Sequence, residues 1–175
     1  NGQIERLSPL MHEHFHKCAG FSAHELETEA RSFIENTFSA NTNAQFVDYT
    51  INNQTNVNQL LPDAQETRIR QMIIDLSAFP NRRYNQTSGT DSANFIKDQW
   101  TQIAGIRPDI TVEFFTHPTA TSPQPSIILT IPGTTLPNEV IILGAHQDSI
   151  NSTSATANAP GADDDASGIA TITET

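Results

Sequence analysis

The stretch that most constrains this chain is VIILGAHQDS, residues 140–149, followed after a short polar segment by APGADDDASG, residues 159–168. An apolar run of strand length ends on His146 and Asp148, and a Gly/Pro-framed trio, Asp163, Asp164 and Asp165, then opens what reads as a helix. Strand ends and helix starts are where α/β proteins place chemistry. Imidazole and carboxylate held on separate rigid elements are the donors that zinc and the harder divalent cations need. His146 and one aspartate of the trio meet that need. Asp148 lies two residues on, on the same side of an extended strand, and is placed to accept the other ring N–H of His146 or to orient the loop. Asp-rich loops beside glycine are also common as solvated turns, so spacing alone leaves both readings open.

Around this motif the hydrophobic periodicity lays out an ordered set of elements. Ile69, Met72, Ile73, Leu76 and Phe79 mark one amphipathic helix, and Ala93, Ile96, Trp100 and Ile103 mark another, with Trp100 as a core anchor. Three strand-like runs follow, at residues 110–116, 126–131 and 139–145, the last two nearly all apolar, as expected of strands covered on both faces. Pro118, Pro123 and Pro125 mark an irregular connection between the first two. Helices, then strands, then a helix fit an α/β sandwich with a mixed sheet. Near the start, Ser8-Pro9 predicts a helix entry and Gly20 a chain reversal. Ser22 and Glu25 form a capping box, after which Leu26, Ala30, Phe33 and Ile34 line one face of a second helix. Residues 39–60 are rich in Asn, Thr and Gln and read as a linker open to cleavage.

Charge and length narrow the function classes. A net charge of −11 argues against a phosphate-backbone partner, which needs clustered Lys and Arg, so nucleic acid is not expected. No run approaches the length of a bilayer-spanning helix, and the chain starts at Asn1 without a charged-apolar leader; a soluble, exported protein whose signal has been removed is the expectation. Cys18 is the only cysteine and cannot form a disulfide within the chain. The sequons at Asn53, Asn85 and Asn151 are glycosylation sites only in a cell that glycosylates them. No G-x-S-x-G elbow, phosphate-binding glycine loop or C-x-x-C pair is present, so serine-hydrolase, nucleotide-binding and redox chemistries lack their parts.

One other cluster satisfies a metal pattern. His12-Glu13-His14-Phe15-His16 matches H-E-x-x-H with Glu13 in the base position, and His12 and His16 stand one helical turn apart. No third ligand follows at metzincin spacing. The competing reading is a helix that packs Leu7, Leu10, Met11 and Phe15 on the rest of the protein with its histidines on the wetter face.

The wording of the main motif adds a resemblance. GAHQDS followed by APGADDDASGIA is similar to the secreted bacterial leucyl aminopeptidases, di-zinc exopeptidases of metallopeptidase clan MH whose relatives include glutamate carboxypeptidase-like and glutaminyl cyclase-like proteins. Residues 61–103, with their NRRYNQTSG tract, resemble the two helices that open the same catalytic domain, and LSPLMHEHFHKCAGFSAH, residues 7–24, resembles the end of the family's propeptide. The resemblance implies a phosphorylase/hydrolase-like three-layer α/β sandwich with a mixed sheet, truncated, preceded by a helical pro-segment. Residues 1–45 are then propeptide-like, and residues 46–175 are the N-terminal part of the catalytic domain.

It also implies a site. His146 binds one of two zinc ions and Asp164 bridges both; Asp148 and Asp165 support those ligands without touching metal, and the Asp164–Asp165 peptide is cis. The family completes its site with a Glu-Glu pair, a further aspartate and a final histidine, all downstream of the DDDASG helix. The general base is therefore expected beyond Thr175, where the chain stops inside an apparent helix with no C-cap glycine or proline following. The expected parent is a secreted enzyme acting on peptide or protein N-termini, completed by the missing C-terminal half, with these 175 residues alone inactive. Two alternatives stand beside it. A zinc carboxypeptidase or glutaminyl cyclase-like enzyme keeps the architecture, whereas a non-catalytic calcium- or partner-binding module would use Asp163, Asp164 and Asp165 as an oxygen-rich loop and leave His146 unused.

Overall fold

The computed structural model describes residues 7, 10, 11, 13, 14, 24, 26–41, 50–117 and 123–175. It divides into two compact units, Asn1–Gln54 and Thr55–Thr175. In the first, Leu7, Leu10, Met11, Glu13 and His14 are helical, and α1 runs Glu27–Asn41. Glu27 and Glu29 stand in its first turn, where the helix dipole favours carboxylates, and Arg31 closes an i,i+4 pair onto Glu27 at 2.7 Å. Leu26, Phe33 and Ile34 are exposed. The expectations that rest on Ser8, Pro9, His12, Phe15, His16, Cys18, Gly20, Ser22 and Glu25 lie outside the described residues. α2, Gln54–Leu60, falls within the stretch expected to be a linker and leads into a tight turn over Leu61–Asp63.

The second unit is built on α3, Glu66–Ser77, and α4, Thr87–Ala104. Both carry the apolar spacing seen in the sequence, and burial follows it: Met72, Leu76, Ile96 and Trp100 all sink into one core. Leu76 and Ile96 are fully enclosed. The chain then forms β1, Thr111–Phe115, and β2, Ser126–Thr130, paired antiparallel with Thr111 opposite Thr130 and Phe115 opposite Ser126. Val112, Ile127 and Leu129 turn toward the helices and pack on the core, whereas Ile128 on the opposite face is exposed. Lys97 of α4 sets its ammonium 4.7 Å from the Phe114 ring, a second tie between helix and sheet.

The strand expected over residues 139–145 does not form. That segment carries no regular secondary structure, and among the described residues the sheet has only two strands, so the expected mixed sheet is here an antiparallel pair. An apolar run specifies an extended buried segment only when a neighbouring strand takes its N–H and C=O groups. Val140, Ile141 and Ile142 stay 76%, 90% and 83% exposed; Ala145, at the end of the run, is the residue that reaches the core.

A turn over Ala162–Ala166 leads into α5, Ser167–Glu174. Ala166, Ile169 and Ala170 insert against Met72 and Leu76, so a short helix is fixed by burial rather than by its own length. Two polar ties complete the seam. The Trp100 indole donates to Thr173 Oγ1 at 2.8 Å, and Glu174 accepts the Gln65 N–H at 2.7 Å and the Arg68 Nε–H at 3.0 Å. Gln65 precedes α3 and makes no side-chain cap of its own, so a carboxylate from the far end of the unit serves its N-terminus.

Replacing Ile96 with Ala should destabilise this unit by about 2–5 kcal/mol in urea denaturation followed by Trp100 fluorescence. Glu174 supplies a pH signature. Hydrogen bonds from Arg68, then from the Gln65 N–H, hold its carboxyl below the ordinary glutamate range. A depressed carboxylate contributes stability above its unfolded pKa and loses it as pH falls through the folded value. Glu174→Gln should therefore lower the melting temperature at neutral pH, and the gap to the unaltered chain should close on acidification; a gap that persists with every carboxyl protonated would show that charge is not its source.

Candidate metal centre

The site forms where the end of the apolar run meets the aspartate turn. His146 Nε2 lies 2.8 Å from Asp164 Oδ1, and Nδ1 faces Asp148, at 3.1 Å from its carbonyl and 3.3 Å from Oδ1. The two nitrogens of one imidazole are thus taken by the turn and by its own segment. Asp165 joins the segments from the other direction: its Oδ2 accepts the His146 backbone N–H at 3.2 Å and its Oδ1 accepts the Gly168 N–H at 2.9 Å. One carboxylate therefore holds both the backbone of His146 and the first turn of α5. The Asp164–Asp165 peptide is cis.

Local sequence explains how the turn is made. Gly161 has φ +52°, the left-handed region, and a Cβ there would lie 2.5 Å from both the Asp164 carbonyl oxygen and Ser149 Cβ. At Gly168 a Cβ would lie 2.3 Å from Asp165 Oδ1, in the space the carboxylate occupies. Ser149 fastens the segment that carries His146, donating from Oγ to the Ala159 carbonyl at 2.6 Å while accepting the Arg82 N–H at 3.0 Å. Ser167 Oγ donates to the Asp163 carbonyl at 2.9 Å, closing the turn.

The electrostatics follow from three carboxylates around one ring. The hydrogen bond to Asp148, with the charges of Asp148, Asp164 and Asp165, raises His146 to about 9 against the opposing effect of burial. Negative charge gathered at a half-exposed imidazole nitrogen is the setting that a divalent cation satisfies. The donors fit zinc in kind: His146 Nε2 and an Asp164 oxygen are a nitrogen and an oxygen ligand side by side. They are two donors rather than a cage, since among the described residues no three His, Cys, Asp or Glu side chains converge on one point. Beside them opens a cavity of about 470 Å³, whose wall includes Tyr84, Trp100, His117, Gln147 and His146.

Of the residues singled out in the sequence, His146, Asp148, Asp164 and Asp165 come together, and Asp163 contributes its backbone carbonyl to Ser167. Sequence reasoning missed Arg82, Ser149, Gly161 and Gly168. The glycines are framed by a left-handed turn and a close carboxylate, for which the Pro-Gly and Ser-Gly pairs were the available signal. Arg82 sits in the NRRYNQTSG tract, but its partners are backbone carbonyls, which leave no trace in residue type.

Comparison with known proteins bears on this same segment. Residues 126–175, which contain the whole cluster, match the model of Peptidase family M28. Leucine aminopeptidase 1 of Paracoccidioides brasiliensis is 38% identical over 128 residues, 71% of this chain and 32% of that protein. The crystal structure of Legionella pneumophila LapA aminopeptidase is similar with a TM-score of 0.64 at 29% identity, over 75% of this chain and 34% of that one. LapB from the same organism shares the fold, with a TM-score of 0.72 at 24% identity, covering 99% of this chain and 46% of that one. The chain spans about a third of the length of the curated relatives it matches. In its site-bearing segment it is similar to M28 peptidases, and among those to leucine aminopeptidases.

Gly168→Ala gives a direct check on the architecture. The added methyl must displace the Asp165 carboxylate, so the His146 amide should lose its acceptor and its proton resonance should move upfield, while α4 resonances stay in place. A His146 amide that keeps its shift would remove Asp165 from the role described here.

Proposed function

We propose that this chain is the N-terminal portion of a secreted, zinc-dependent aminopeptidase that removes residues from peptide N-termini, with His146 and Asp164 as two of the ligands of a two-zinc centre. The observation that carries the reading is the convergence of His146 Nε2 on Asp164 Oδ1, with the opposite ring nitrogen on Asp148. A ligand histidine whose second nitrogen is held by a carboxylate is the arrangement that fixes its tautomer and aims the free lone pair. The M28 match over the residues that form the cluster supports the hydrolase class, and the likeness to leucine aminopeptidases supports exopeptidase action.

Bound zinc supplies Lewis acidity toward a peptide carbonyl. The chain's own residues do the rest of what this segment contributes. His146 and Asp164 present donors from two separate segments, Asp148 holds the imidazole in orientation, and Asp165 ties the His146 backbone to the start of α5. The general base and the remaining ligands are assigned to the missing C-terminal half of the parent protein. Residues 1–45 are assigned to a pro-segment that restricts the cleft until cleavage within residues 39–60. Calcium at an all-oxygen loop is the lesser reading, because His146 is engaged with Asp164 rather than turned away from it.

Zinc titration followed by the ¹⁵N imidazole resonances separates these readings. Zinc should shift His146 Nε2 and leave Nδ1 close to its starting position, and either His146→Ala or Asp164→Asn should weaken zinc binding at least tenfold. Asp148→Asn should cost about 10–100-fold in affinity while leaving both donors in place. Calcium binding that spares His146 would favour the oxygen-loop module. In the complete protein, release of leucine from a leucyl anilide should require zinc and rise after limited proteolysis in residues 39–60; an unchanged rate would sink the inhibitory role of the pro-segment.

A further inference from the structure

Arg82 is fully buried, yet its guanidinium hydrogen bonds all end on backbone carbonyls. Nε donates to the Gln147 carbonyl at 2.8 Å, Nη1 to those of Leu76 at 3.0 Å and of Pro160, and Nη2 to that of Gly161 at 2.9 Å. The main chain of the same residue extends the pattern. Its N–H donates to Ser149 Oγ at 3.0 Å, and its carbonyl accepts the Gln124 side-chain amide at 3.2 Å. Leu76 lies in the last turn of α3, where carbonyls lack helical partners, so one bond also closes a helix end.

The acceptors identify what is being joined. Gln147 adjoins His146, and Pro160 and Gly161 open the turn that carries Asp164. A planar, rigid fork can hold carbonyls from three segments at fixed angles, which a single ammonium on a flexible stem cannot. The fork also carries a charge. Burial opposes that charge, whereas Asp148, Asp164 and Asp165 favour it. In a site of reduced dielectric a fixed cation beneath three carboxylates offsets their mutual repulsion and lets them gather.

We propose that Arg82 is the positioning residue of the metal centre: by clamping the segment at Gln147 to the turn at Pro160 and Gly161, it aims His146 and Asp164 before a cation arrives. This rests on the metal reading given above, but the clamp itself has a readout that needs no metal. The His146 and Gly168 amides, both bound to Asp165, report whether the two segments are held together.

Arg82→Lys keeps charge and stem but loses the fork. In the metal-free chain, amide hydrogen exchange at His146 and Gly168 should quicken at least tenfold, while Ile96 and Trp100 in α4 keep their protection. Zinc affinity, read from the His146 imidazole shift, should fall at least tenfold in the same variant. Unchanged exchange at the two amides, equal acceleration throughout α3 and α4, or equal zinc affinity in both proteins would each overturn the positioning role. If wild type shows the exchange pattern's contrast with the variant but no zinc binding, the clamp stands and the metal reading fails. Should Arg82→Lys not fold, native-state exchange of the unaltered chain at low denaturant replaces it: the Arg82, His146 and Gly168 amides should share one opening free energy, and separate openings would refute the clamp.

Discussion

The site-bearing half of this protein depends on a cation placed where water cannot reach it. A buried charge without compensation is costly, and here the compensation comes from carbonyl dipoles in contact and from carboxylates further off. Because those carbonyls come from three separate segments, the solvation of one guanidinium and the tertiary arrangement of the loops are the same set of bonds. Regular structure does little to hold these loops: residues 146–166 contain no strand pairing and only one short turn of regular hydrogen bonding. The hydrophobic core ends at Ala145 and resumes at Ala166, and the polar clamp spans the distance between.

That division of labour shows in how α5 is held. Its apolar face is fixed by Met72 and Leu76, and its far end by Glu174 on Gln65 and Arg68. Its near end is fixed by the Asp165 carboxylate on the Gly168 amide, which also reaches the His146 backbone. Packing on α3 therefore sets where the aspartate turn lies, and the turn sets where the imidazole points. Changes in the core and changes at the site are coupled through a helix of only eight residues.

The sequence disclosed the parts of the fold that depend on one segment's own pattern. Leu76, Ile96 and Trp100 were marked by helical spacing and are the core, and the runs around Val112 and Ile127 became β1 and β2 within a residue of their expected limits. It failed over residues 139–145, because strand formation is a relation between two segments and an apolar run does not name its neighbour. The meeting of His146, Asp148, Asp164 and Asp165 was foreshadowed by their motif. Arg82 was not, since an arginine among carbonyls looks, in sequence, like any surface arginine. Glu174 was equally hidden: its acceptor role spans most of the chain, and nothing near it in sequence names Gln65 or Arg68.

The exposed run from Val140 to Leu143 has a consequence beyond failing to form a strand. It is free of proline, rich in β-branched residues, and uncharged between Glu139 and His146. Such a segment is an open template for strand addition, and charge, proline or a covering element are the usual ways of blunting one. The stem that delivers His146 therefore leaves a run of apolar, mostly β-branched side chains uncovered among the described residues, a condition that a charged side chain or a covering segment removes.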